Sequence, residues 1–183
     1  MKTWHDFYKN RINDMYKNHI NRRYKVFIDF IKDRINKLSD EKNIHEAACG
    51  CANISYALKN LGASVSISDI CPDMLNLAKQ NMDCESYLLN AKADKFPSGA
   101  LMYSHGLLEH FNDEDIKDII KNQLRYCKEL VHYVPGEKYK KPSFGDERLL
   151  SKNYWGRLCR PHKIIGFNNG YDLILYWDNS KAF

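Results

Sequence analysis

The segment 44–53 constrains the fold of this chain more than any other stretch. It reads Ile-His-Glu-Ala-Ala-Cys-Gly-Cys-Ala-Asn, which predicts a short buried strand, a turn of small residues and a helix that begins at Asn53. Small side chains in such a turn let a ligand approach the backbone closely. The next predicted strand, 65–70, carries Asp69 about 20 positions further on, the spacing at which a βαβ unit presents a carboxylate to a ribose diol. The pattern predicts an α/β domain that binds a nucleoside.

The glycine spacing of this turn argues against a dinucleotide-binding site. A G-x-G-x-x-G fingerprint needs its third glycine where the helix packs on the strand, and Asn53 stands at that position. Gly50 is the one glycine of the turn. The segment 46–52 instead resembles the E-x-G-x-G-x-G loop of class I S-adenosylmethionine-dependent methyltransferases, with Ala48 and Ala52 in place of two of that family's glycines.

Two further motifs resemble the same family and follow in the family's order. Residues 69–79 read Asp-Ile-Cys-Pro-Asp-Met-Leu-Asn-Leu-Ala-Lys, similar to the family's acidic ribose position and its Pro-x-Met-Leu helix. Residues 104–111 read Ser-His-Gly-Leu-Leu-Glu-His-Phe, similar to the segment after the family's fourth strand. The resemblance implies an α/β fold with a Rossmann-like, doubly wound and mostly parallel seven-stranded sheet. It also implies a C-terminal antiparallel hairpin, which Asn169-Gly170 between apolar runs predicts independently.

The resemblance also implies how S-adenosylmethionine, the expected cofactor, is held. The backbone of residues 48–50 would hold the methionine portion, Asp69 would accept hydrogen bonds from the ribose hydroxyls, and Ile70 would pack on the adenine. Asn90-Ala91 would stand where the family commonly has an Asp-Ala pair beside the adenine, with Asp94 as an alternative register. The predicted cofactor-binding residues are Glu46, Ala48, Cys49, Gly50, Asn53, Asp69, Ile70, Met74, Asn90, Ala91, Ser104 and Tyr8.

The predicted catalytic residues follow the fourth strand, at the carboxyl edge where such sheets bind ligands. An acceptor that is protonated at neutral pH needs a base, and His105, Glu109 and His110 are the candidates. Glu109 and His110 are equally well explained as residues that support the site or begin a helix. No N/D-P-P-Y/F segment and no Pro-Cys nucleophile occur. A small-molecule acceptor is therefore favoured, with RNA modification or non-catalytic cofactor binding as alternatives.

Residues 1–40 are predicted to form a helical lid and residues 43–183 an α/β core, together a single domain. In the second predicted helix, apolar side chains recur at helical spacing; they are Tyr24, Phe27, Ile28, Ile31 and Ile35. The resemblance implies that an aromatic and a basic residue of this region lie near the methionine end of the cofactor. The candidates by residue type are Tyr8, Arg11, Arg22 and Arg23. Basic residues among aromatics also suit nucleic acid, although a solvated helix face is the favoured interpretation.

Acceptor selection is predicted for the segment 137–160, which lies outside the βα core. Its aromatic and basic residues are Tyr139, Phe144, Tyr154, Trp155, Lys140, Lys141, Arg148, Arg157 and Arg160. Aromatic rings offer flat apolar contact, and basic groups suit a carboxylate or phosphate on the acceptor. Trp155→Ala is expected to leave S-adenosylhomocysteine affinity within about threefold but to lower turnover at least tenfold. The alternative is that these aromatic side chains only cover the sheet.

Composition excludes several other classes of protein. With 44% hydrophobic and 28% charged residues, the 183-residue chain is typical of a globular domain, and its net charge of +5 permits an anionic partner without requiring one. The six cysteines have no C-x-x-C pairing, so neither a metal site nor a disulfide framework is predicted. No apolar run is long enough for a membrane span and the start does not read as a signal peptide, so a cytoplasmic location is expected.

Overall fold

The computed structural model describes residues 6, 8, 14–38, 42–143 and 145–179. Within them the strands are β1 (Asn43–Ala47), β2 (Ser64–Asp69), β3 (Glu85–Leu88), β4 (Gly99–His105), β5 (Cys127–Pro135), β6 (Lys163–Phe167) and β7 (Asp172–Asp178). The helices are α1 (Asp14–Arg23), α2 (Lys25–Lys37), α3 (Asn53–Lys59), α4 (Pro72–Asn81), α5 (Asp113–Gln123) and α6 (Lys152–Cys159). None of the helices in these residues is both long enough and apolar enough to cross a lipid bilayer.

All seven strands join one sheet in the order β3-β2-β1-β4-β5-β7-β6. The first five pair in parallel, whereas β7 is antiparallel to both β5 and β6. This confirms the predicted fold class, including the C-terminal hairpin. The order reverses between β1 and β4, and in doubly wound sheets such a reversal opens a ligand crevice at the carboxyl ends of the strands.

Alternating side chains of the central strands build a core on each face of the sheet. On one face, Phe27 and Ile31 of α2 pack with Leu101, Tyr103 and Ile174, so the predicted apolar stripe of this helix is confirmed. Arg34 of α2 also forms a bidentate salt bridge with Glu129 of β5, in which Nε lies 2.7 Å from Oε2. The N-terminal helix pair is thereby fastened over the sheet.

The opposite face is covered by α5 and α6. Ile116 of α5 and Trp155 of α6 pack with Met102, Leu130 and Leu175 of the sheet. Successive residues of a strand point to opposite faces, which is why neighbouring positions of β4 serve different cores.

Local signals account for several of the element boundaries. Asn112 accepts hydrogen bonds from the N–H groups of Glu114 (3.0 Å) and Asp115 (2.9 Å) and so begins α5. Helix α6 begins at Lys152, because Ser151 provides its N-cap by accepting a hydrogen bond from Tyr154 N–H (3.0 Å).

Candidate active site

A cavity of about 510 Å³ lies at the carboxyl ends of β1, β2, β4 and β5. Its wall includes the turn after β1, Asp69, the segment 105–111, the junction of α1 and α2, and Tyr8. This is the crevice in which doubly wound sheets bind ligands. No group of three or more His, Cys, Asp or Glu within the described residues is arranged to hold a metal ion.

The turn after β1 has left-handed backbone geometry at three alternate positions. The φ angles are +54° at Ala48, +54° at Gly50 and +56° at Ala52. The E-x-G-x-G-x-G loop, which this segment resembles, has its glycines at these three positions. An alanine Cβ in this region meets the following carbonyl oxygen, at a cost of about 1–2 kcal/mol. The turn therefore keeps the glycine geometry although two of its residues are alanine.

We expect Ala48→Gly to raise the free energy of unfolding by about 1 kcal/mol, because glycine adopts positive φ without strain. Chemical denaturation measures the change. Ala57→Gly is the matched control, since Ala57 lies within α3 and glycine inside a helix costs about 1 kcal/mol. If both substitutions destabilise the protein equally, Ala48 is not strained.

Asp69 joins the end of β2 to the turn after β1. Its Oδ2 accepts a hydrogen bond from Gly50 N–H and its Oδ1 one from Cys71 N–H, both at 2.9 Å. The side chain is only 8% exposed, and burial raises the pKa of its carboxyl. Each carboxylate oxygen has further lone pairs for a ligand hydroxyl. The adjacent Ile70 is 65% exposed and lines the same cavity.

Glu46 is buried beneath the turn. Its carboxylate accepts hydrogen bonds from the N–H (3.2 Å) and hydroxyl groups of Ser55, whose Oγ lies 2.6 Å from the Tyr103 hydroxyl. Burial raises the pKa of Glu46 to about 8. This carboxyl fastens the first turn of α3 to β1 at the edge of the cavity.

Three buried polar atoms on the cavity wall have no hydrogen-bond partner within the described part of the chain. They are Asn53 Oδ1, His105 Nε2 and Glu109 Oε2. A buried polar atom without a partner costs about 1–3 kcal/mol. Their convergence on one cavity indicates a site for a polar ligand.

His105 and Glu109 are both uncharged at neutral pH. The His105 ring stacks on Tyr133 (centroids 4.5 Å apart) and meets Tyr24 edge-on (4.3 Å). Burial lowers the pKa of His105 to about 4. Glu109 is 2% exposed, and burial raises its pKa to about 8. His110 lies on the same wall, with its Nδ1 2.8 Å from Asp146 Oδ1.

Stability should depend on pH through Glu109. Because its pKa rises from 4.5 to about 8 on folding, the folded state keeps a proton that the unfolded state has lost, so this contribution to stability falls as pH rises from about 4.5 to about 8. Glu109→Gln cannot titrate, and we expect it to gain stability relative to wild type between pH 5 and pH 8. Melting temperatures across this range measure the effect. Parallel curves for the two proteins would contradict the pKa assignment.

The comparisons with known proteins agree with this geometry. A family model described as a methyltransferase domain matches residues 44–129. Residues 44–129 therefore form a methyltransferase domain, and the predicted resemblance to class I S-adenosylmethionine-dependent methyltransferases is confirmed. S-adenosylmethionine is therefore the cofactor of this chain, as predicted. A comparison with curated protein sequences gives no match.

Solved structures share the fold of this methyltransferase at low sequence identity. The PH0226 protein from Pyrococcus horikoshii is 16% identical with a TM-score of 0.73, over 94% of this chain and 98% of that one. An S-adenosylmethionine-dependent methyltransferase from Clostridium acetobutylicum is 12% identical with a TM-score of 0.70, over 92% and 97%. Magnesium protoporphyrin IX methyltransferase from Synechocystis, with bound S-adenosylhomocysteine, is 15% identical with a TM-score of 0.63, over 90% and 87%.

The cavity wall includes most of the cofactor-binding residues predicted for this methyltransferase. Those on the wall are Tyr8, Glu46, Ala48, Cys49, Gly50, Asn53, Asp69, Ile70 and Met74. All three predicted catalytic residues line it as well. The candidate Arg23 also lies on the wall, whereas Arg22 does not. Arg11 lies outside the described residues.

Three predicted cofactor-binding residues are not part of this wall: Asn90, Ala91 and Ser104. Asn90 closes a local turn instead, donating its N–H to Asp94 Oδ2 (2.6 Å) and accepting from Lys92 N–H at Oδ1 (3.0 Å). Ser104 is fully buried, with its Oγ 2.6 Å from His132 Nδ1. Local hydrogen bonds therefore hold the Asn90 and Ser104 side chains away from the cavity.

The prediction that Trp155 selects the acceptor is wrong. Trp155 is 0% exposed and lies in the core beneath α6. Tyr154 donates its hydroxyl to Asp113 Oδ2 (2.6 Å), and Arg148 bonds Asp113 Oδ1 and the Phe111 carbonyl, each at 2.7 Å. These contacts tie Arg148 and Tyr154 to α5, whereas Tyr139 and Lys141 of the same segment line the cavity. Phe144 lies outside the described residues.

A cluster at the cavity wall joins Tyr139, a candidate by residue type, to Tyr133, Asp172 and Arg23, and this grouping was not predicted. Asp172, at the start of β7, accepts the hydroxyls of Tyr133 and Tyr139, both at 2.7 Å. Arg23 Nη2 in turn donates to the Tyr139 hydroxyl at 2.7 Å. The one available sequence signal was the position of Tyr133 near the carboxyl end of a strand, two residues before Pro135.

Proposed function

We propose that this methyltransferase transfers a methyl group to a small-molecule acceptor by in-line displacement. The supporting observation is that one cavity of about 510 Å³ is lined both by the turn with Asp69 and by His105 with Glu109. Small-molecule sites typically have volumes of about 300–1,000 Å³. When bound, S-adenosylmethionine supplies a methyl group attached to a positively charged sulfur. The sulfur departs readily as a neutral thioether when the methyl group is transferred.

The residues at the turn fit the cofactor. Asp69 would accept hydrogen bonds from the ribose hydroxyls, and the exposed side chain of Ile70 would pack on the adenine. The backbone of residues 48–50 would hold the methionine portion. The unpartnered Oδ1 of Asn53 is available to accept a hydrogen bond from the amino group of the cofactor's methionine portion.

His105 and Glu109 would act on the acceptor in different ways. The neutral imidazole of His105 would accept a hydrogen bond from the acceptor at its unpartnered Nε2, and its lowered pKa makes it a weak base. Glu109 keeps its proton at neutral pH and would donate a hydrogen bond that orients the acceptor. Alignment accounts for much of the rate in such a displacement, because no covalent intermediate on the protein is needed.

The N-terminal helices would act as the lid of the site, as part of a single domain. Ile20, Arg23 and Tyr24, at the junction of α1 and α2, contribute to the cavity wall. An acceptor enclosed by these side chains would be screened from water. Small-molecule acceptors also have a precedent in the fold, since one structural neighbour is a magnesium protoporphyrin IX methyltransferase.

Labelled methyl transfer tests the proposal. Purified protein is incubated with S-adenosylmethionine carrying an isotopic methyl label and with the separated small-molecule and RNA fractions of a cell extract. We expect label in the small-molecule fraction, and much less label with the Asp69→Ala variant. Label in the RNA fraction would favour the RNA alternative. Binding of S-adenosylhomocysteine without any transfer would favour a non-catalytic cofactor-binding protein.

A further inference from the structure

We infer that the acceptor carries an anionic group, a carboxylate or a phosphate, that binds Arg23 and Lys141 at the end of the cavity beyond His105. The inference rests on the proposed function and narrows its acceptor class. Both side chains line the cavity and both are exposed. The acceptor would thus be an aromatic or similarly flat acid, anchored by its charge while its nucleophilic atom lies near His105.

Contacts with the last strands hold Arg23 at this end of the site. Its Nη2 donates to Tyr139, and Tyr139 donates to Asp172. Its carbonyl oxygen accepts a hydrogen bond from Asn168 Nδ2 at 3.3 Å. The guanidinium carbon also lies 5.2 Å from the centre of the Tyr24 ring. The exposed arginine is therefore held in position by contacts on several sides.

The sheet order separates Arg23 from the ribose position. Asp69 ends β2, whereas Tyr133 and Asp172 belong to β5 and β7. In the order β2-β1-β4-β5, three strand spacings separate β2 from β5. The distance between these two strands is therefore about 14 Å. His105 lies at the end of β4, between these two regions. Arg23 is thus on the far side of His105 from Asp69.

The charges on this part of the wall favour an anion. Glu147 is engaged with Ser143, accepting its N–H at 2.8 Å and its hydroxyl. Asp172 is fully buried behind Tyr133 and Tyr139 and is not part of the wall, and its charge acts on Arg23 from behind. Arg23 uses one guanidinium nitrogen for Tyr139 and keeps other N–H groups for a ligand. The two cations therefore remain available to an acceptor.

The other basic residues of the segment 137–160 do not line the cavity. Lys138 donates to the Asn169 carbonyl oxygen at 2.6 Å, and Arg148 is bound to Asp113. Lys140, the neighbour of Lys141, is likewise absent from the wall. Apolar and aromatic side chains complete this region; they are Ile20, Tyr24, Leu107, Phe111 and Tyr133. The combination suits a flat apolar body with one anionic group.

Calorimetry on the full chain saturated with S-adenosylhomocysteine tests the inference. The probes are two matched pairs, para-hydroxybenzoate with para-hydroxybenzamide and phenyl phosphate with phenol. We expect at least one anion to bind about tenfold more tightly than its neutral counterpart. The double substitution Arg23→Gln and Lys141→Gln should abolish this preference, whereas the control Arg22→Gln and Lys140→Gln should retain it. Affinity for S-adenosylhomocysteine should stay within about threefold in both double variants.

Three results would overturn the inference. One is equal or undetectable binding of all charged and neutral probes to wild type. Another is equal loss of preference in the control variant. The third is a matching loss of S-adenosylhomocysteine affinity in the Arg23 and Lys141 variant, which would mean that the pair binds the carboxylate of the cofactor. Labelled methyl transfer by wild type without any preference for anions would leave the proposed function standing and remove only this inference.

Discussion

Trp155→Ala is expected to lower the free energy of unfolding by about 3–5 kcal/mol, because it leaves a large cavity in a packed core. The side chain is 0% exposed and packs beneath α6 against the sheet. Its Nε1 has no hydrogen-bond partner within the described residues, so the loss should come from packing alone. Urea denaturation measures it.

Trp155→Phe is the matched control, since phenylalanine retains an aromatic ring at the same position. It should destabilise the protein by clearly less than the alanine substitution. A Trp155→Ala protein of wild-type stability that has lost methyl transfer would contradict the core assignment. It would instead return Trp155 to the acceptor site.

Asp69→Ala is expected to weaken binding of S-adenosylhomocysteine by about 1–3 kcal/mol. Ribose hydroxyls would lose a charged acceptor, and the N–H groups of Gly50 and Cys71 would lose the carboxylate that holds them. Asp69→Asn keeps one acceptor oxygen, so it should lose less affinity. Isothermal calorimetry gives both values, with circular dichroism to check folding. Unchanged affinity in the alanine variant would remove Asp69 from the site.

Short-range signals predicted the elements that position the site. Small residues after a buried strand indicated the turn at Gly50 and the helix that begins at Asn53. The distance from this turn to Asp69 is set by one βαβ unit, so local geometry brings them together. Such features depend on neighbours in the sequence, which is why the structure places them as expected.

Arg23, Tyr139 and Lys141 were candidates by residue type, but their contacts at the far end of the cavity could not be predicted because the residues involved are distant in the sequence. Arg23 meets Tyr139 across 116 positions, and Tyr133 meets Asp172 across 39. No periodicity or motif pairs residues so far apart. Trp155 shows a related difficulty. A binding loop and a helix that covers the core can both place an aromatic residue beside basic ones, so their sequences look alike. Only tertiary packing distinguishes these cases.

Native mass spectrometry of the purified chain titrated with S-adenosylhomocysteine tests the central claim most directly. The cavity built from the turn, Asp69 and His105 predicts one bound molecule per chain, with much weaker binding to the Asp69→Ala variant. Nicotinamide dinucleotide added at the same concentration should give no complex. A stable complex with the dinucleotide, or none with S-adenosylhomocysteine, would contradict the account.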